Sequence, residues 1–162
     1  FVQVPTSMAA MVDASIGGKV AVNLPQGKNL VGAFYQPKLV LADVSALSTL
    51  GRRELAEGWA EAIKHGLILD AELLDVFEEH AEALMGLNMP EAGAGRSDKV
   101  RDMATMVIRR SMAIKAQVVS EDERETLGRR TLLNYGHTIG HAIEAAAGYG
   151  EYMHGEAVSA LL

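Results

Sequence analysis

Lys38-Leu-Val-Leu-Ala-Asp-Val-Ser-Ala-Leu-Ser-Thr-Leu-Gly-Arg52 is where the chain changes character. It begins with a compact apolar run ending in Asp43, the pattern of a strand buried in a parallel sheet. After Thr49-Leu50-Gly51 the periodicity becomes helical. On the N-terminal side, Lys19-Val-Ala-Val-Asn23 and Asn29-Leu-Val-Gly-Ala-Phe34 flank Pro25-Gln-Gly27, which predicts two short strands around a loop. On the C-terminal side, residues 52–68 are predicted helical, with Leu55, Trp59 and Ile63 along one face. Residues 70–84 form a second amphipathic helix with Asp70 as its N-cap. A Gly/Pro loop over 86–95 leads to a long helix over 98–119 with a Met/Val/Ile stripe. A further helix spans 130–147, and a last one opens near Gly155. No internal repeat is visible. The expected architecture is an α/β part, residues 1–50, followed by a mostly α-helical part, residues 51–162.

Composition narrows the function classes. The 162 residues suit one domain, or one domain with part of another. Hydrophobic residues make up 49% of the chain, enough for a core. The net charge of −6 offers no global field for nucleic acid or an anionic membrane. There are no cysteines, so disulfides and thiolate metal sites are excluded, and any metal must be held by His, Asp, Glu and water. No apolar run is long enough to span a bilayer and no signal peptide is visible, so a cytoplasmic location is expected. The opening Phe1-Val-Gln-Val-Pro5 reads as the end of a buried strand. The closing Ala157-Val-Ser-Ala-Leu-Leu162 lies inside an apolar helical run without a cap, so the chain is expected to be an internal piece of a longer protein. The eight methionines at helical positions are expected as core filler. The acidic run at 121–125 reads as a solvated helix end, with Glu125 able to face a cleft, and His80 reads as surface.

Three of the five histidines fall in Asn134-Tyr-Gly-His137-Thr-Ile-Gly-His141 and His154-Gly-Glu156. Neutral imidazole is the commonest ligand for a divalent metal. His137 and His141 are four apart and share a helical face, and the Gly148-Tyr-Gly150 turn can bring His154 back toward them. Two histidines at this spacing are often merely packed. A third, and a matching carboxylate elsewhere, strengthen the metal reading. The carboxylate candidate is in Gly58-Trp-Ala-Glu61-Ala-Ile-Lys64, where Glu61 and Lys64 sit three apart in an apolar setting. The competing explanation is an ordinary surface ion pair. Val12-Asp13-Ala-Ser-Ile-Gly17-Gly18-Lys19 and Gly27-Lys28-Asn29 place Asp13, Lys19, Lys28 and Asn29 on neighbouring glycine loops that can approach an anion, though the first is not a Walker A loop. Arg130, Asn134, His137 and His141 continue a single helical stripe. Four polar residues in register argue for a lined cavity that takes an anionic, oxygen-rich substrate beside a metal.

These residues resemble the 3-dehydroquinate synthase family. The matching stretches are Pro5-Thr-Ser7, Met11-Val-Asp-Ala-Ser-Ile-Gly-Gly-Lys19, Gly27-Lys-Asn29, Gly58-Trp-Ala-Glu-Ala-Ile-Lys64, Asp122-Glu-Arg-Glu125, Leu132-Leu-Asn-Tyr-Gly-His-Thr-Ile-Gly-His-Ala-Ile-Glu144 and His154-Gly-Glu-Ala157. They run in the family's order over nearly the whole chain. The resemblance implies a Rossmann-like NAD-binding α/β domain, of which 1–50 is the C-terminal part, and a helical metal-binding domain, of which 51–162 is the N-terminal part. It implies conversion of 3-deoxy-D-arabino-heptulosonate 7-phosphate into 3-dehydroquinate and phosphate, with catalytic NAD⁺ and Zn²⁺ or Co²⁺. The metal acts there as a Lewis acid on a ring hydroxyl.

By the same resemblance the metal ligands are Glu61, His137 and His154. Asp13 and Lys64 contact ring hydroxyls. Lys115 and Arg130 pair with the substrate carboxylate and nearby oxygens. Lys19, Asn29, Asn134 and His141 surround the phosphate. Thr6, Ser7, Lys19, Lys28 and the 46–49 turn (Ala46, Leu47, Ser48, Thr49) lie against NAD. A glycine-rich NAD loop is expected upstream. Further basic phosphate contacts are expected downstream and from a neighbouring subunit of a homodimer, so the 162-residue piece alone is expected to have negligible activity. The nearest alternatives are another sugar phosphate cyclase (a 2-deoxy-scyllo-inosose or valiolone-type synthase) and a metal-dependent alcohol or glycerol dehydrogenase, which typically has Asp where Glu61 stands. A non-catalytic helical metal module does not need the polar stripe.

Overall fold

The structure, a computed structural model, describes residues 1–87, 94–148 and 151–160, without the side chains of residues 23, 28 and 94–97. The N-terminal third carries the strands. β1 (Val2–Gln3) pairs in parallel with β4 (Leu39–Val40). Between them, β2 (Lys19–Leu24) and β3 (Gly27–Phe34) form the predicted antiparallel hairpin, with Lys19 opposite Phe34 and an irregularity between Val22 and Leu24. The parallel pairing of the 38–43 run matches expectation, but its burial does not. Leu39 and Leu41 are exposed, as are Phe1, Val2 and Val4. Among the described residues this sheet has two strands, too few to cover the run on both sides.

The helices follow as α1 (Arg52–Leu69), α2 (Ala71–Met85), α3 (Ala94–Glu121), α4 (His137–Ala147) and α5 (His154–Ser159). Asp70 separates the first two, closing α1 and capping α2 by accepting the Leu73 N–H at 3.3 Å. Arg110 of α3 grips the same carboxylate at 2.7 and 2.5 Å, tying three helices at one corner. The predicted loop over 86–95 lies largely outside the described residues.

The core crosses the change of character at residue 50. Met8, Met11, Val12 and Leu47 pack with Leu55, Trp59, Leu73, Phe77, Leu84, Ala104, Val107 and Ile108. Trp59 meets Phe77 edge-on at 5.7 Å. Met8 and Met11 are fully buried, and Met85, Met103, Met106 and Met112 line the same cluster, as expected of filler.

One predicted helix is corrected. Residues 130–147 are not continuous, because a 3-10 turn over Arg129–Asn134 ends in extended Tyr135 and Gly136 then takes φ 79° before α4 begins. Left-handed backbone is strained for any residue with a Cβ. A Cβ at Gly136 would also stand 3.1 Å from Val158. The Arg130–Asn134–His137–His141 stripe is therefore two short helical pieces set at a corner, and Arg130 is buried while Asn134 and His141 are exposed.

Candidate metal centre and its surroundings

The middle of α1 is buried on nearly all sides, and two charged side chains sit there one turn apart. Glu61 is 2% exposed and Lys64 1%. Charges this deep survive only when paired. The Lys64 ammonium donates to Glu61 Oε2. The other oxygen, Oε1, is buried with no hydrogen-bond partner among the described residues. It faces His137 Nε2 at 3.7 Å and His154 Nε2 at 3.6 Å, and those two nitrogens are 3.2 Å apart.

Each imidazole is turned so that Nε2 points inward. His137 Nδ1–H donates to the Tyr135 carbonyl at 3.1 Å, leaving Nε2 with its lone pair. His154 Nδ1 lies 3.5 Å from Glu144 Oε1, a buried carboxylate on α4. Burial, helped by the Lys64 charge, lowers the His137 imidazole below its ordinary value and favours the neutral form. Glu61 Oε1 and the two Nε2 atoms thus converge on one hollow. Ligands about 2.1 Å from a tetrahedral ion lie about 3.4 Å from one another, which the three separations match. The residues present fit a divalent cation. His141 stands beside them, its ring centroid 5.5 Å from those of both His137 and His154. His141, Glu144 and His154 form a second set of possible ligand atoms.

The site depends on how closely α5 approaches α1. A Cβ at Gly155 would stand 2.1 Å from the Glu57 carbonyl oxygen. Gly155→Ala is therefore expected to destabilise the protein by about 2 kcal/mol or more, as overpacking against backbone does, and to lower its urea midpoint. An unchanged midpoint would remove this close approach from the account.

A second group of charges adjoins the metal hollow. Lys115 of α3, also buried, pairs with Asp13 Oδ1 at 2.7 Å and donates to the Asp13 carbonyl at 2.5 Å. Burial works to raise the Asp13 carboxyl, but the ammonium groups of Lys115 and Lys64 outweigh it and hold the acid well below the usual carboxylate range. Burial lowers the Lys115 ammonium. Next to them, His65 is fully buried with neither ring nitrogen partnered among the described residues.

Arg130 reaches the glycine loop, with Nη1 donating to the Gly17 carbonyl at 3.3 Å and to Glu123 at 3.0 Å. Its backbone is seated by Asp122. One Asp122 oxygen accepts the N–H groups of Thr126 (2.8 Å) and Leu127 (3.0 Å), and the other those of Arg129 (3.0 Å) and Arg130 (3.5 Å). Burial raises the Asp122 carboxyl, and these four donors outweigh it and keep the group ionised. Lys19 pairs with Glu125 at 2.6 Å, so Glu125 does turn toward the glycine loop.

Among the sequence-predicted residues, the structure brings together Glu61, His137, His154, His141, Lys64, Asp13 and Lys115, with Arg130 and Lys19 gathered on the adjoining glycine loop. The cofactor candidates are less engaged. Thr6 is exposed and Ser7 Oγ accepts the Ala10 N–H at 3.4 Å. In the 46–49 turn, Ala46 is half-buried, Ser48 Oγ donates to Ser45 and Thr49 Oγ1 to Ala46. Leu47 is fully buried in the core, so its side chain is committed to packing. Asn29 has left-handed backbone, φ 58°. The Lys28 side chain lies outside the described residues. Asn134 lies with Ile68, Leu132 and Tyr135 along an open cavity.

Sequence reasoning gave no role to Glu144, whose spacing of three from His141 and seven from His137 was the available signal. It also gave no role to Asp122, which four backbone donors between Thr126 and Arg130 reveal only in three dimensions.

Comparison with known proteins follows the same outline. The family model described as 3-dehydroquinate synthase C-terminal matches residues 58–161, and the one described as 3-dehydroquinate synthase N-terminal matches residues 1–57. A curated 3-dehydroquinate synthase from Nitrosomonas europaea is 52% identical over 162 residues, which is 99% of this chain and 40% of that protein. The chain therefore spans well under half the length of this relative. Among solved structures, the 2-epi-5-epi-valiolone synthase of Streptomyces hygroscopicus subsp. jinggangensis 5008 with NAD⁺ and Zn²⁺ bound superposes with a TM-score of 0.82 at 35% identity, covering 98% of this chain and 41% of that one. A 2-deoxy-scyllo-inosose synthase complexed with carbaglucose-6-phosphate, NAD⁺ and Co²⁺ gives 0.72 at 34%, covering 97% and 39%.

Proposed function

The chain belongs to the 3-dehydroquinate synthase family, and from that premise we propose that the full-length protein converts 3-deoxy-D-arabino-heptulosonate 7-phosphate into 3-dehydroquinate and phosphate, using NAD⁺ and a zinc or cobalt ion. The observation that carries this reading is the buried Glu61 Oε1, without a hydrogen-bond partner among the described residues, facing two inward-turned imidazoles beside a cluster of cations. Glu61, His137 and His154 hold the ion and leave a coordination position for a substrate oxygen. When bound, the ion polarises a ring hydroxyl and NAD⁺ accepts and returns a hydride.

The chain's own residues position and neutralise. Lys64 fixes the Glu61 carboxylate and, with Asp13, stands near the ring hydroxyls. Lys115 and Arg130 serve the substrate carboxylate, for which the guanidinium fork is suited. Lys19, Asn29, Asn134 and His141 take the phosphate. Thr6, Ser7, Lys19, Lys28 and the 46–49 turn serve NAD⁺. Catalysis by such a site is mainly orientation and charge stabilisation. In this reading residues 1–50 complete a Rossmann-like domain and 51–162 begin the helical metal domain. The full-length protein is a cytoplasmic homodimer acting on a phosphorylated sugar acid, with no nucleic-acid or membrane partner. No helix among the described residues is long and apolar enough to cross a membrane.

The test is phosphate release by the full-length protein given the heptulosonate phosphate, NAD⁺ and Zn²⁺. Steady release is expected. No release, or release only from a hexose phosphate, would overturn the assignment, the latter in favour of another cyclase.

A further inference from the structure

His154 begins a helix of six residues, closed by Glu156 reaching back to the Met153 N–H, and the His154 backbone N–H is accepted by the Glu57 carboxylate of α1. A second side chain of α1 brackets it on both sides. Arg53, in the first turn of α1, donates through Nε to Glu156 Oε1 at 2.5 Å and through Nη2 to Glu156 Oε2 at 2.7 Å. The same Nη2 donates to the Glu151 carbonyl at 2.8 Å. Glu156 Oε2 in turn accepts the Met153 N–H at 2.8 Å. Arg53 therefore holds the chain both before His154, at Glu151, and after it, at Glu156. The two residues are 103 positions apart, and α1 is also the helix that carries Glu61.

We propose that the Arg53–Glu156 fork is a positioning device of the metal site, acting with Glu57 and Glu144 to set the His154 ring against Glu61 and thereby tuning metal affinity. The inference rests on the metal reading above. Neither Arg53 nor Glu156 belongs to the ligand set. The fork is partly solvent-exposed, with Arg53 at 53% and Glu156 at 29%. Exposed ion pairs contribute little to folding stability. Their geometry can still matter, because a metal ligand must be held within a fraction of an ångström and partners beyond the ligands change affinity 10- to 100-fold. The fork is bidentate, which a lysine cannot reproduce.

The experiment compares full-length wild type with Arg53→Ala, Arg53→Lys and, as a control, the neighbouring exposed Arg52→Ala. Zinc affinity is measured by competition with a chromogenic chelator, and thermal midpoints are taken on the metal-free proteins. Arg53→Ala is expected to weaken zinc about 10- to 100-fold, Arg53→Lys by less, and Arg52→Ala not at all. Metal-free midpoints should remain close to wild type, and kcat should recover when zinc is saturating. Unchanged zinc affinity in Arg53→Ala would overturn the proposal. So would a metal-free midpoint that falls in step with affinity, since that marks a general structural role. A wild type that binds no zinc at all would instead overturn the metal reading on which this inference rests.

Discussion

Glu61→Ala and His154→Ala, each made in the full-length protein, are expected to lower bound zinc from about one ion per chain to near none. Turnover should fall by about three orders of magnitude or more, since a Lewis-acid ion contributes several kcal/mol of charge stabilisation. Both variants remove one of three ligand atoms converging on the hollow. Glu61→Ala also leaves the Lys64 ammonium buried without its partner, which costs folding stability in its own right. Glu61→Gln separates the two effects: it keeps shape and an acceptor for Lys64 but removes the charge that an ion needs. It should be less destabilised than Glu61→Ala, because Lys64 keeps a hydrogen-bond acceptor, and still lose zinc. His141→Ala is the informative counterpart, because His141 belongs to the second possible ligand set, with Glu144 and His154. Metal content by atomic emission after dialysis should be retained in His141→Ala. Retention in both Glu61 variants and in His154→Ala, or loss in His141→Ala equal to theirs, would move the ion elsewhere.

Acid should destabilise this protein through a residue that touches neither metal nor substrate. Burial, reinforced by the neighbouring Lys64 charge, holds the His65 imidazole down to about 3 from an ordinary 6.5. The unfolded chain therefore binds a proton at His65 once the pH falls below about 6.5, while the folded chain stays neutral there until about pH 3. His65's contribution to stability is complete above the unfolded value and is lost as pH falls, at up to about 1.4 kcal/mol per unit. Between pH 6.5 and 4.5 this amounts to about 2 kcal/mol. His65→Leu removes the proton site and two buried nitrogens that lack a partner among the described residues, at similar volume, so the variant should escape that loss. Urea unfolding of the metal-free protein at the two pH values reads it directly, and chelation keeps zinc release by His137 and His154 out of the comparison. A variant whose stability falls with acid as steeply as wild type would show that other groups govern the response.

Local order was legible where it depends on near neighbours in sequence. The β2–β3 hairpin, α1 and the Asp70 cap follow from alternation, helical period and one side-chain oxygen placed to meet a backbone N–H. The reading of Lys38–Asp43 as buried went too far because burial depends on what covers a strand, and an apolar run carries no information about its cover. The polar stripe through Arg130 and His141 assumed an unbroken helix, while Gly136 has φ 79° and a corner replaces it. The residues around Glu61 made it a candidate carboxylate, but the set of Glu61 with His137 and His154 could be named only through resemblance. Spacing relates residues three or four apart, and this carboxylate joins its imidazoles from another helix. The Asp122 seat, the Glu144 contact with His154 and the Arg53 fork were invisible for the same reason, each being a meeting of segments that periodicity treats separately.

The hollow between α1, α4 and α5 draws its ligand atoms from places half a chain apart. An ion bound there is a reversible staple, closing a long loop that the unfolded chain would otherwise leave open. On the proposed metal reading, zinc concentration would then set folding stability as well as chemistry. Once the site is saturated, each further tenfold excess of free ion adds about 1.4 kcal/mol to unfolding. A cell short of zinc would hold a population that is idle and also easier to unravel, so supply of the ion would govern how long the protein lasts.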